Sequence, residues 1–240
     1  MELNIINMYP DILNLYGDLG NLIAVKQRCL WRNIDIKIEE FSIGNEGNIK
    51  DADIILIGGG SDNSQDIISK HFLKHRKELS EFIDENKVIL AICGSYQMFG
   101  NQYYDVNHQD IPCLEIFDIE TTSAKNRLIG DIVIKNNLSL SPEKIIGFEN
   151  HGGRTYHKYK TLGNVEIGYG NNGEDKGEGM IYKNFYGSYL HGPLLPKNPH
   201  FSDYLILKAL QQKYDINELS PLDDTVENNA LKSIDEKLRK

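Results

Sequence analysis

The hydrophobic rhythm of the chain changes about half-way along. In the first half, residues 3–8 form a short apolar run that stops at Tyr9-Pro10, and DIKIEEF (35–41) alternates with a period of two. Two further runs, DIILI at 53–57 and VILAI at 88–92, are almost wholly apolar, the pattern of strands covered on both faces. Between them, Leu22, Ile23, Val25, Cys29 and Leu30 recur at helical spacing across 21–32, and Phe72, Leu79, Phe82 and Ile83 mark the inner face of a helix predicted over 67–85. Such a β-α-β-loop-β-α order predicts an α/β fold with a parallel sheet wrapped by helices. The second half is richer in strand and glycine signals, at 128–134, 145–148, 165–169 and 185–190, before a helix over 198–212. Loop 171–179 (NNGEDKGEG) reads as a polar, mobile connection. The charged tail, about 215–240, offers a short helix carrying Ala230, Leu231, Ile234 and Leu238. No repeat or domain boundary interrupts the pattern, so 1–240 reads as a single domain.

Charge and cysteine usage narrow the picture. A net charge of -9 over 240 residues argues against a nucleic-acid-binding face. No stretch approaches the roughly 20 apolar residues of a membrane span, and MELNIINMYP lacks the basic and apolar regions of a signal peptide. The cysteines, Cys29, Cys93 and Cys113, are odd in number and far apart, with no CxxC pair. They predict neither a disulfide framework nor a zinc site, and the expected compartment is the cytoplasm.

Candidate chemistry sits at two strand ends. VILAIC runs into Cys93 and is followed by Gly94, Ser95, Tyr96 and Gln97. A strand that turns sharply into a helix lifts its turn residue out of the sheet, and a helix start favours a thiolate. Taken alone, Cys93 is equally readable as a buried structural cysteine. A thiol nucleophile needs a base, and His191 ends the strand GSYLHGP as Cys93 ends its own. His151, in FENHGGRTYH, competes from a tightly turned polar segment that suits a ligand loop, a partner contact or a plain turn. His71 and His75 lie on a charged helix and are expected to face solvent, while His108 and His200 sit in unremarkable polar contexts. The other informative loop, 58–62, begins with Gly58, Gly59 and Gly60 at a strand end, where parallel sheets bind ligands.

Together these residues resemble the class I, triad-type glutamine amidotransferases. The likeness rests on the Gly-rich strand end, the strand–Cys elbow with a glutamine four residues on, and the Tyr-Leu-His-Gly strand end. Within that class the chain is similar to the cobyric-acid-synthase-like branch, most of all to glutaminase subunits that serve a Mur-ligase-like (MurT-like) partner. YPDILNLYGDLGN (9–21), IGGGSDN (57–63), GFENHGGRTYHKYKTLG (147–163) with GYGNNGEDK (168–176), and GSYLHGPLLPKNP (187–199) carry this resemblance.

It implies a flavodoxin-like, three-layer fold with a mainly parallel central sheet, and hydrolysis of L-glutamine to glutamate and ammonia through a Cys93–His191 thioester mechanism. The oxyanion hole would come from Gly94 and from Gly59 and Gly60. Arg127 would grip the substrate carboxylate, for which a guanidinium is apt. Gln97 would contact substrate or support the elbow. The chain has no GxxxxGK[ST] phosphate loop. No cofactor is therefore expected in it, and ATP and Mg are expected on the partner of a heterodimer. That partner would amidate the D-glutamate α-carboxylate of lipid II, placing the complex in the cytoplasm or at the inner face of the membrane.

Two departures from the class stand out. Ser95 replaces a second glycine, and Gly192-Pro193 replaces the acid that often follows the histidine. The third catalytic member is therefore open: Glu149, another local acceptor or a partner carboxylate would serve. NLYGDLGN (14–21) and 149–157 are candidates for subunit contact, substrate-side structure or plain folding roles. A cobyric-acid-type acceptor and a non-catalytic glutamine-binding scaffold are the competing readings.

Overall fold

A computed structural model of the chain describes residues 1–239. The first half runs β1 (Glu2–Met8), α1 (Leu19–Leu30), β2 (Asp35–Phe41), β3 (Ile54–Ile57), α2 (Asp62–Lys74), α3 (Arg76–Asp84), β4 (Val88–Ile92) and α4 (Gly94–Met98). The second half runs β5 (Gln102–Tyr104), β6 (Ile119–Asn136), β7 (Lys144–His157), β8 (Gly163–Ile167), β9 (Gly177–Glu178), β10 (Met180–Tyr182) and β11 (Phe185–Ser188). It ends with α5 (Leu194–Lys197), α6 (Pro199–Tyr214) and α7 (Thr225–Leu238).

Six strands form the central sheet in the order β10-β11-β4-β3-β1-β2, with only β10 antiparallel to its neighbour. Helices cover both sides, so the expected α/β class with a mainly parallel sheet holds. Every residue of β3 and β4 is buried, which is why these two strands carry no polar alternation. β2, at the sheet edge, alternates as an edge strand should.

The register of this sheet positions the chemistry. β4 pairs in parallel with β11, with Ile92 opposite Ser188, and the Cys93 N–H donates to the Ser188 carbonyl at 2.7 Å. The chain leaving β11 therefore starts beside the chain leaving β4. A second sheet is built around the long antiparallel pair β6–β7, whose register shifts between Ser123 and Leu128. Phe148 of β7 exchanges both backbone hydrogen bonds with His191, at 2.8 and 3.1 Å, so the two sheets meet at that histidine.

Two sequence expectations change. The single helix over 67–85 is two helices, the first starting at a Ser61 cap and ending at His75, whose φ of -94° and ψ of 8° break the helix. His71 and His75 then turn inward onto Phe41 and are buried, although a charged helix suggested solvent. Loop 171–179, expected to be mobile, is laced to its surroundings. Asn171 and Asn172 are buried, Asn171 exchanges hydrogen bonds with the Gly179 backbone, and Asn172 Nδ2 donates to the Thr155 carbonyl and to Asp175. Amide side chains in a turn can satisfy backbone groups that polarity alone would assign to water. The tail helix forms as expected, with Leu231 buried against Val133 and Ile146.

Candidate active site

Cys93 sits at the carboxyl end of β4 with φ 54° and ψ -110°, a backbone conformation rare for a residue with a Cβ. That twist aims the thiol out of the sheet into a cavity of about 540 Å³. Gly94, the first residue of α4, leaves its N–H without an intrahelical partner and next to the thiol. Ser95 fits without loosening the turn. Its side chain is fully buried and its hydroxyl donates to the carbonyls of Ile92 and Ile57, at 3.0 and 3.2 Å, pinning the elbow to two strand ends. The other two thiols differ in kind, because burial pushes both Cys29 and Cys113 up to about 12.

His191 is completely buried beside Cys93. The space between them is set by Gly59, where a Cβ would lie 2.5 Å from His191 Cε1 and 3.3 Å from the Cys93 Cβ. A carboxylate stands at the opposite edge of the ring. His191 Nδ1 lies 3.2 Å from Asp18 Oδ2 and 3.4 Å from Oδ1, with Asp18 itself buried. Burial favours a neutral imidazole, but the neighbouring Cys93 sulfur and the Asp18 carboxylate outweigh it, and His191 is pushed up to about 10. Tyr16 packs edge-on over the same ring, with centroids 5.0 Å apart.

Two expectations are corrected here. Glu149 does not serve His191. Its carboxylate accepts the N–H groups of Tyr169 and Gly170, at 2.7 and 2.9 Å, and lies 3.7 Å from His151. The Gly59 N–H, expected in the oxyanion hole, donates instead to Asp18 Oδ2 at 2.7 Å, holding that carboxylate towards the imidazole. Gly60 lines the cavity beside Cys93.

Arg127 lines the same cavity. It belongs to the irregular segment of β6 where the β7 register shifts, and such a bulge re-aims side chains. Its Nε and Nη2 donate to the side-chain and backbone oxygens of Asn150, at 2.7 and 2.6 Å, which leaves Nη1 for a ligand carboxylate. Gln97 also borders the cavity, yet its Nε2 donates to the Tyr189 hydroxyl at 2.9 Å and its oxygen is met by Gln65 Nε2 at 3.5 Å. It supports the elbow more than it offers a free amide. His151 is stacked on Tyr189 with ring centroids 3.7 Å apart, and its Nδ1 lies 2.9 Å from the Gly153 carbonyl.

Asp18, Tyr16 and Asn150 lie in the stretches 14–21 and 149–157 that the sequence marked as candidates, but none of the three was singled out for a role. Asp18 lies in the quoted stretch NLYGDLGN, in the loop that leaves β1. An acid in a Gly-flanked loop at a carboxyl strand end was the available signal.

Comparisons with known proteins give the family of the chain. The family of CobB/CobQ-like glutamine amidotransferase domains matches residues 4–199. The chain is 45% identical over 229 residues, 95% of its own length and 93% of the relative's, to the lipid II isoglutaminyl synthase (glutamine-hydrolyzing) subunit GatD of Staphylococcus aureus. It is 37% identical over 216 residues, 89% and 82% of the two lengths, to the subunit of the same name from Streptococcus pneumoniae. A probable cobyric acid synthase of Methanococcus maripaludis is 31% identical over 164 residues, which span 64% of this chain and 32% of that protein. Among solved structures, a glutamine amidotransferase from Thermotoga maritima shares the fold with a TM-score of 0.54 at 14% identity, covering 99% of this chain and 92% of that one. The chain belongs to the CobB/CobQ-like glutamine amidotransferase family.

Proposed function

We propose that the chain is the glutamine-hydrolysing subunit of a lipid II isoglutaminyl synthase, with Cys93, His191 and Asp18 as its catalytic set. The observation that carries the chemistry is the buried Asp18–His191 contact beside a Cys93 thiol that opens on a cavity containing Arg127. The two near full-length relatives named for this activity support the choice of acceptor.

L-glutamine enters with its α-carboxylate on the free edge of the Arg127 guanidinium and its side-chain amide against Cys93. An imidazolium beside the sulfur favours the thiolate, which attacks the amide carbon. The oxyanion is held by the N–H groups of Gly94 and Gly60. His191 donates its Nε2 proton to the departing ammonia, leaving a γ-glutamyl thioester, then accepts a proton from the water that cleaves it. Asp18 holds the imidazole through Nδ1, and the Gly59 N–H holds Asp18. Ammonia passes to a MurT-like partner that uses ATP and Mg to activate the D-glutamate α-carboxylate of lipid II. A cobyric-acid-type acceptor is the second reading, with the lower identity of 31% to a probable cobyric acid synthase against 45% and 37% to the two GatD subunits.

The test is ammonia and glutamate release from L-glutamine by wild type and Cys93→Ala, alone and with the MurT-like partner, ATP and lipid II. Release that disappears in Cys93→Ala, together with amidated lipid II, is the expected outcome. Amidation of a cobyric acid precursor in place of lipid II would overturn the acceptor, and release unchanged in Cys93→Ala would overturn the chemistry.

A further inference from the structure

Away from the cavity, one cluster of side chains has the makings of a metal centre. Glu46 lies in the loop after β2, while His71 and His75 stand four residues apart at the end of α2 and so share a face. His71 Nε2 is 2.7 Å from Glu46 Oε1, His75 Nε2 is 3.8 Å from Glu46 Oε2, and the three ligand atoms fall within 4.8 Å of one another. Bonds of about 2.0 Å in a tetrahedral site put neighbouring ligand atoms about 3.3 Å apart. The two observed spacings to Glu46 bracket that value, and Glu46 is exposed and free to adjust.

The surroundings go beyond a chance grouping of polar residues. Each imidazole has its remote nitrogen held: His71 Nδ1 lies 2.8 Å from the Tyr9 hydroxyl, and His75 Nδ1 lies 2.8 Å from Glu78 Oε2. This is the outer support that metal-binding histidines use to fix ring orientation and tautomer. His75 is 8% exposed, and its Nε2 is buried with no hydrogen-bond partner among the described residues. A buried ring nitrogen without a partner is costly, and this one is aimed at the Glu46 carboxylate. Phe41 packs edge-on against the His75 ring, with centroids 4.9 Å apart, and closes the apolar side of the cluster.

We propose that Glu46, His71 and His75 bind one divalent transition-metal ion of the zinc class, tying the loop after β2 to the junction of α2 and α3. Two imidazoles and one carboxylate suit zinc better than magnesium or calcium, which prefer oxygen ligands throughout. The ion takes the place of the proton that His71 Nε2 now shares with Glu46, and His71 Nδ1 then donates to the Tyr9 oxygen. The exposed side of Glu46 gives the ion a route in and leaves a fourth position for water. A site of this kind braces the fold, because α2 begins directly after the loop that carries Gly60.

The experiment titrates zinc into the chelator-stripped, full-length chain in competition with a chromophoric chelator, and records the visible spectrum with cobalt(II). One bound equivalent is expected, with a cobalt spectrum free of thiolate charge-transfer absorption. Affinity should fall at least about 100-fold in His75→Ala and Glu46→Gln, and about 10–100-fold in Glu78→Gln, whose residue only supports a ligand. The thermal midpoint should rise with zinc in wild type and stay level in Glu46→Gln, an exposed substitution that leaves the fold intact. Zinc binding of unchanged affinity in Glu46→Gln, a thiolate band pointing to a cysteine, or no bound zinc would each overturn the site.

Discussion

His191 and His151 each lie buried beside a buried carboxylate, and they are shifted in opposite directions. His191 lies 3.2 Å from Asp18 and is pushed up to about 10. His151 lies 3.7 Å from Glu149 and is lowered, because burial outweighs the pull of the Glu149 charge and the hydrogen bond to Gly153. Burial disfavours the charged ring at both places. At His151 the carboxylate is partly spent on the N–H groups of Tyr169 and Gly170, and the nearby Arg154 guanidinium disfavours a second positive charge. At His191 the Cys93 sulfur is a second neighbour that favours the charged ring. The difference follows from position: His151 lies within β7, whereas His191 lies where the ends of β1, β3, β4 and β11 converge. A buried histidine with an acid beside it is not yet a catalytic one.

The sharpest way to break the comparison is to remove the sulfur. Cys93→Ala should lower ammonia release by at least about 10⁴-fold, while His151→Phe should leave release readily measurable. Next in size is Asp18→Asn, which keeps the shape but removes the charge behind Nδ1. It should reduce kcat about 10²–10⁴-fold with little change in KM, and loss of both in equal measure to a Glu149→Gln control would sink the assignment of Asp18.

A smaller effect is expected on titration. Nitrogen-resolved NMR of the imidazoles should find His191 protonated through neutral pH and deprotonating near 10, and His151 deprotonating below the usual histidine range. In Cys93→Ala the burial of His191 is opposed by Asp18 alone, so its titration should move down towards that of His151. Because the folded-state value of His191 is raised, its stabilising contribution is complete below the unfolded value near 6.5 and is lost as pH rises through about 10. The urea midpoint of wild type should therefore drop between pH 8 and 10.5 more steeply than that of His191→Gln. Smallest is the effect of His151→Phe on stability. The ring stack on Tyr189 survives, and the lost bond to Gly153 should cost about 1–3 kcal/mol by urea unfolding.

Much of the central sheet was legible because its strands announce themselves. β3 and β4 are apolar on both faces, β2 alternates at an edge, and the boundaries of β1, β2 and β4 fall within a residue of the periodicity. Cys93 and His191 were legible for the same reason: each follows an apolar strand, and parallel strands present their carboxyl ends together. The second sheet was read less well. β6 spans 18 residues where the pattern suggested seven, because its first part is largely polar and takes its order from pairing with β7. His71 and His75 were misplaced to solvent because charge on a helix says nothing of a loop that folds back to cover it.

The sequence alone therefore determined the parallel sheet, the elbow thiol and the histidine on the neighbouring strand, since each depends on the local alternation of apolar residues and on turns near in the chain. Only the tertiary structure decided which carboxylate faces His191, which glycine N–H that carboxylate engages, and that Glu46 meets two histidines. Asp18 and His191 are 173 residues apart, and Glu46 and His71 are 25 apart. Contacts of that kind arise where separate strand ends and loops converge, and a short stretch of side chains carries no record of that convergence.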